Sequence, residues 1–248
     1  MDIYENLHQP SSVASLIDHT LLKPEASKSD IARLCSEARR FLFASVCVNP
    51  CWVRFAAAEL AGSPVKVCTV VGFPLGANQT ATKRKEAELA LADGATELDL
   101  VQNAGALRSG DSRLVGDEIE EIAAIAHGRG ALLKVIIETC LLSDEEKKRA
   151  CQLAAQAKAD FVKTSTGFSS GGALVSDVKL MREAVGNSLG VKASGGIRKL
   201  ADLRAMVRAG ANRIGASSGV QILKELNSES AGRANTAAQL GQSGRVNY

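Results

Sequence analysis

Short runs of β-branched and apolar residues alternate along this 248-residue chain with longer segments whose apolar positions recur at helical spacing. The strand-like runs fall at 15–18, 44–48, 66–71, 97–101, 132–138, 160–164, 190–193 and 212–215. Between them the periodicity predicts helices over 27–41, 51–61, 78–93, 111–128, 143–158, 175–185, 199–209 and 218–226. This alternation belongs to parallel strands joined by crossover helices. Local signals agree with it: Ser143 and Glu146 form a capping box, and Gly94, Gly130 and Gly210 stand where a helix must stop. Three segments, ADGATELDLV, QAKADFVKTS and VRAGANRIGA, share one helix-to-strand turn.

Eight such units in about 220 residues fit a closed (β/α)8 TIM barrel, a single domain over 1–226, better than an open doubly wound sheet. No GxGxxG follows the first strand, so a dinucleotide site is not expected. The last stretch, 227–248, is polar and glycine-bearing without periodicity, and predicts a flexible C-terminal tail.

Composition narrows the function classes. Hydrophobic residues make up 46% of the chain and aromatics only 4%, which suits an aliphatic strand-and-helix core. A net charge of +3, scattered along the chain, gives no footprint for nucleic acid. No apolar run approaches the roughly 20 residues of a membrane span, and MDIYENLHQP carries no secretory apolar region, so a cytoplasmic location is expected. The six cysteines, at 35, 47, 51, 68, 140 and 151, form no CxxC pair and no zinc-ligand spacing. No Asp/His cluster points to a divalent metal, and neither metal nor cofactor is expected.

Candidate chemistry lies where the strand pattern is broken. A parallel strand buried on both faces is apolar throughout, yet Lys134, Lys163 and Lys192 interrupt three strands at one repeated interval. Alternation directs each of them into the barrel, together with Asp99, Ser165 and Ser194. Three cations in one mouth repel, which favours the neutral amine on one of them, as a Schiff-base nucleophile requires. Asp18 and Asp99, each at a strand end, would offset the charge and move protons. For Lys134 alone, a purely structural role competes evenly with a catalytic one.

Cys47 is expected on the site wall, with no histidine placed to activate it; His19 is either catalytic or locally hydrogen-bonded. Glycine-bearing turns follow strands seven (Ser194, Gly195, Gly196) and eight (Gly215, Ser217, Ser218), the usual position for a phosphate in a barrel, although such glycines also simply permit tight turns. Thr166 and Gly167, after strand six, would extend that cradle.

The blocks DHTLLKP, VCVNP, VVGFPLG, ELDLVQNAGALRSGD, LKVIIET, FVKTSTGF, VKASGGIR and NRIGASSG, in this order from Asp18 to Gly219, resemble the deoxyribose-phosphate aldolase family. The resemblance implies a class I, metal-free lyase of deoxyribose phosphate catabolism, reversibly cleaving 2-deoxy-D-ribose 5-phosphate to D-glyceraldehyde 3-phosphate and acetaldehyde. Its partners would be that small phosphorylated sugar, acetaldehyde and a second copy in a homodimer.

Carried over by motif, Lys163 would form the Schiff base, Lys192 would keep it nucleophilic, and Asp99 would transfer protons with Lys192. The family also implies a C-terminal tyrosine that reaches the site, here Tyr248. One departure is Phe168, where some members carry a lysine near the phosphate. Beside this reading stand another Schiff-base barrel, such as a transaldolase or class I fructose-bisphosphate aldolase, and a phosphosugar-binding protein without catalysis. Intact Lys163, Lys192 and Asp99 argue against the binding protein, and two lysines on adjacent strands in a short chain favour the first reading.

Overall fold

The computed structural model describes the backbone of residues 6–243 and the side chains of residues 6–231. Eight parallel strands close on themselves in chain order: β1 (Ile17–Leu21), β2 (Ser45–Val48), β3 (Lys66–Val71), β4 (Glu97–Val101), β5 (Leu132–Ile136), β6 (Phe161–Lys163), β7 (Gly190–Ser194) and β8 (Arg213–Ala216). The barrel closes where Ile17 and Asp18 of β1 pair with Ile214 and Gly215 of β8. Around it run α1 (Pro10–Ala14), α2 (Lys28–Phe41), α3 (Val53–Glu59), α4 (Thr80–Ala92), α5 (Ala104–Arg108), α6 (Ser112–His127), α7 (Asp144–Gln156), α8 (Val175–Val185), α9 (Leu200–Arg208) and α10 (Gly219–Ser243).

The two faces of each strand have separate partners. Leu98, Leu100, Leu133, Val135, Val162, Val191 and Ile214 are buried in one outer cluster with Ile119, Ile122, Val178, Met181, Leu203 and Val207 of the helices. Each such side chain contributes about 1.5–3 kcal/mol by leaving water. The alternate residues point inward, where Leu22, Cys47, Cys68 and Val70 form a small inner apolar group. The inner space thus remains available for charge.

The shared helix-to-strand turn is a real structural unit. Gly94 and Gly210 adopt φ of 106° and 114°, and in both turns the next N–H reaches back five residues, Ala95 to Ala90 and Ala211 to Met206. Lys158 takes the same left-handed position at φ 61°, with Ala159 N–H bonded to Ala154. The hydrogen-bond pattern is retained there without glycine.

Four differences from the sequence expectation have physical causes. β1 begins at Ile17 rather than Ser15, because the preceding residues form α1, started by Pro10 in its first turn. α5 follows β4, capped by Asn103 through the Ala106 N–H. Pro50–Trp52 form a 3-10 turn before α3. The helix expected to stop at Leu226 continues to Ser243, so the described part of 227–248 is helical. No proline interrupts it, and Glu229 is tied to Arg204 on α9 at 2.8 Å. Among the described residues no helix is long and apolar enough to cross a membrane.

One buried ion pair braces the wall beside the β3 and β4 ends. Lys83 of α4, fully buried, donates to Glu118 Oε1 of α6 at 2.6 Å and to the carbonyls of Gly76 and Val101 at 2.7 and 2.9 Å. It thereby joins two helices, a loop and a strand end. Replacing Lys83 by Met strands a buried carboxylate and two carbonyls; we expect a loss of about 3–5 kcal/mol, read as a lower urea midpoint at unchanged slope.

Candidate active site

Three lysines converge on one carboxylate. Asp99 of β4 accepts Lys134 Nζ on Oδ1 at 2.9 Å, and Lys163 and Lys192 Nζ on Oδ2 at 2.6 and 2.8 Å. Lys163 and Lys192 are direct partners in the β6–β7 register, whereas Lys134 pairs with Phe161 and so lies one inward-facing level lower. Equal spacing along the chain therefore does not put the three at one height.

The cluster continues as a closed ring of charge. Lys192 bonds Asp18 Oδ2 at 2.5 Å, and Arg213 of β8 bonds Asp18 Oδ1 and Glu97 Oε1, both at 2.7 Å. Glu97 Oε2 meets Lys134 at 2.6 Å. All seven side chains are carried by strands, and burial multiplies the strength of each contact.

This ring corrects the picture of three repelling cations. Burial works against the Lys192 ammonium, yet Asp18 and Asp99 more than offset it and hold its pKa above the ordinary lysine value. Lys134 is likewise buried and raised, by Asp99, Cys68, Glu97 and Asp18. Burial also opposes ionisation of Asp99, but Lys134, Lys163 and Lys192 hold it well below the usual carboxylate range. Asp18 is lowered in the same way, against its burial, by Lys192, Lys134 and Arg213. The carboxylates more than offset the repulsion among the cations at Lys134 and Lys192.

Above the ring lies a cavity of about 430 Å³. Lys163 is the ring's one member on its wall, where it is joined by Thr166, Gly167, Phe168, Ser194, Gly195, Gly196, Gly215 and Ser217. Lys23, after β1, and Arg198, after β7, add two cationic side chains, and Leu21, Leu22 and Ile197 add apolar surface. Phe168 meets Phe73 of the β3 loop edge to face, ring centres 5.1 Å apart.

The glycines serve packing as well as the cavity. A Cβ on Gly215 would lie 2.8 Å from Ser194 Cβ and 3.1 Å from Lys192 Cε, so this residue makes room for the lysine. One on Gly195, at φ 91°, would lie 2.9 Å from the Gly172 Cα in the loop after β6. These turns thus combine tight packing with a place on the cavity wall.

Other sequence candidates fall into place around the cavity. Asp18, Cys47 and Lys134 were expected on the site wall; they lie beneath it, fully buried. Ser218 is where α10 begins, its carbonyl accepting from Ile222 N–H, and the wall ends at Ser217. Thr166 borders the cavity, but its N–H and hydroxyl are committed to Glu138. His19 faces α2, bonded to Glu37 at 2.7 Å, the local alternative. Tyr248 lies outside the described residues.

Sequence reading missed Glu97, Arg213, Cys68, Lys23 and Arg198. Glu97 stands two residues before Asp99 and Arg213 two before Gly215, so strand alternation applied to every charged residue would have found both. Lys23 and Arg198 sit on loops, which carry no periodicity. Two groupings, Cys47/Cys68/Asp99 and Asp18/Cys68/Glu97, bring potential ligand atoms within 4.8 Å of one another. Ammonium groups at 2.5–2.9 Å already neutralise these carboxylates and would repel a further cation.

A parallel barrel with a lysine amine facing a cavity, backed by carboxylate and ammonium, is the arrangement of a barrel lyase of the aldolase class. Comparison with known proteins agrees: residues 12–229 match the family model described as DeoC/LacD family aldolase. The chain is 58% identical to the deoxyribose-phosphate aldolase of Bacillus cytotoxicus over 212 residues, 86% of this chain and 95% of that protein. It is also 58% identical to the Thermoanaerobacter protein of the same name over 217 residues, 87% and 97% of the two chains. The solved deoxyribose-phosphate aldolase from Aeropyrum pernix, described as tetrameric, superposes with a TM-score of 0.84 at 36% identity, covering 92% of this chain and 97% of that one. The chain belongs to the DeoC/LacD aldolase family.

The pKa shifts define how stability varies with pH. Asp18 and Asp99 have folded-state values below their unfolded ones, so their contribution is present above about pH 4 and is lost as pH falls through the lowered values. Lys134 and Lys192 are raised, so theirs is complete below about pH 10 and is lost as pH rises further. Unfolding free energy should decline below about pH 4 by up to ~1.4 kcal/mol per unit for each carboxylate. Asp99→Asn should be less stable at pH 7 and show a shallower acid decline, measured by urea titration across pH.

Proposed function

We propose that the chain is a class I deoxyribose-phosphate aldolase in which Lys163 forms the Schiff base. The observation that carries this reading is the position of Lys163: on the cavity wall, with Nζ 2.6 Å from the Asp99 carboxylate and Lys192 as its in-register neighbour. The neutral amine adds to the aldehyde carbon of open-chain 2-deoxy-D-ribose 5-phosphate, and loss of water leaves an iminium. That iminium withdraws the electron pair of the C2–C3 bond as the C3 hydroxyl gives up its proton. D-glyceraldehyde 3-phosphate departs, and the enamine left on Lys163 is protonated and hydrolysed to acetaldehyde.

Asp99 Oδ2 touches both amines and is suited to pass protons between Lys163 and Lys192, while Lys192 supplies a fixed positive charge. The phosphate would rest on the turns at Gly195, Gly196 and Ser217, with Lys23 and Arg198 as cationic partners. That pair compensates for Phe168. Tyr248, by resemblance to the family, would act as an accessory residue at the site. We place the enzyme in the cytoplasm as a homodimer, although the A. pernix relative is described as tetrameric; light scattering on the eluted protein decides the latter.

Borohydride reduction with acetaldehyde, followed by peptide mass spectrometry, should give an adduct on Lys163. No adduct, or one only on Lys134, would sink the assignment. Lys163→Leu should abolish turnover, Asp99→Asn should lower kcat by roughly 10²–10⁴-fold, and removal of Tyr248 should slow turnover while leaving the melting temperature in place.

A further inference from the structure

Glu138 follows β5 in a left-handed conformation, φ 53° and ψ 69°, unusual for a residue with a side chain. It is also buried, so its carboxyl group needs partners. The Cys140 thiol approaches Oε1 at 3.9 Å, and the shorter contacts all come from the loop after β6. Oε2 accepts the Thr166 hydroxyl at 2.5 Å, and the Thr166 N–H points at both carboxyl oxygens, 3.2 and 3.3 Å away. The same hydroxyl oxygen accepts the Phe168 N–H at 3.1 Å. A hydroxyl that donates to a carboxyl group becomes a better acceptor, so the three groups act as one chain.

This chain has few substitutes. From Thr166 to Gly172 no backbone N–H bonds a backbone carbonyl among the described residues; the next such bond is Ala173 to Gly195. Gly167, at φ 83° with open space around it, contributes no packing of its own. Yet Thr166, Gly167 and Phe168 form the cavity wall beside Lys163 and opposite the Gly195 and Ser217 turns.

We infer that Glu138 is a positioning residue for the aldol reaction: acting through Thr166, it fixes the Gly167–Phe168 wall and thereby the grip on the phosphorylated end of the substrate, leaving bond formation at Lys163 unaffected. The inference rests on the aldolase reading of Lys163. Glu138 touches no reacting atom, so its removal should appear in KM rather than kcat.

The test measures steady-state kinetics of Glu138→Ala, Glu138→Gln, Thr166→Val and Thr166→Ser on 2-deoxyribose 5-phosphate and on unphosphorylated 2-deoxyribose, with borohydride trapping of acetaldehyde in each. Glu138→Ala and Thr166→Val should raise KM for the phosphorylated sugar roughly tenfold or more, with kcat within about threefold and KM for the free sugar little changed. Glu138→Gln and Thr166→Ser keep an acceptor and a hydroxyl, and should stay within about threefold of the parent in KM. An adduct absent from Lys163 in the parent protein refutes the site assignment itself. A normal adduct with KM unmoved, with kcat falling alone, or with both sugars affected equally overturns only the role of Glu138. Should Glu138→Ala not fold, the Thr166 pair decides by the same criteria.

Discussion

The carboxylate of Asp99 is the interaction on which the site depends. Three ammonium groups inside an apolar barrel would each carry a prohibitive solvation cost, and no strand-end geometry by itself could hold them there. Asp99 receives all three, and Asp18 and Glu97 complete the ring with Arg213. Counted formally, four cations face three carboxylates. The formal charges balance when one of the four cations is neutral. Lys134 is held by three carboxylates, Asp18 the most distant at 3.9 Å, and Lys192 and Arg213 by two each, whereas among the described residues Lys163 pairs with Asp99 alone.

A closed barrel can bear such a ring because its two strand faces have separate duties. The outer face supplies stability through aliphatic contact with helices, as Leu98 and Leu100 do on either side of Asp99. The inner face then tolerates groups that lower stability. Stagger between strands sets the level of each: Lys163 and Lys192 share a level below the cavity mouth, and Lys134 lies deeper. Depth sets Lys134 apart, and of the two lysines that share a level it is Lys163 that lines the cavity.

The fold was largely legible because barrel strands and helices repeat a local pattern, and the left-handed turns at Gly94 and Gly210 mark its joints. The same logic found Asp99, Lys163 and Lys192, since charge inside an apolar strand has few explanations. What escaped was of two kinds. Glu97 and Arg213 were readable but overlooked, because compensating charge was sought only at the strand-end carboxylates Asp18 and Asp99. Lys23, Arg198 and Glu138 were not readable in their roles: their positions depend on loop paths, and no period in the chain encodes a loop path. The continuation of the last helix past Leu226 was missed for the opposite reason, being helical without the amphipathic stripe that makes helices visible.

The loops in turn constrain the lysines. Gly215 leaves the space that Lys192 Cε needs and at the same time lines the cavity, so the turn after β8 and the Lys192 side chain compete for one volume. Ser194 links the same regions, its hydroxyl donating to Ser165 O at 2.7 Å while its N–H bonds Thr164 Oγ1 at 3.0 Å. The loop after β6 is thus held on one side by β7 and on the other by Glu138 after β5. A displacement of that loop would be felt by the residues immediately following Lys163 on the chain. Two hydroxyls of the run after β6 therefore anchor it to its neighbours without adding bulk to the cavity: Thr164 donates to Ser194 O at 3.1 Å, and Thr166 donates to Glu138 while accepting the Phe168 N–H.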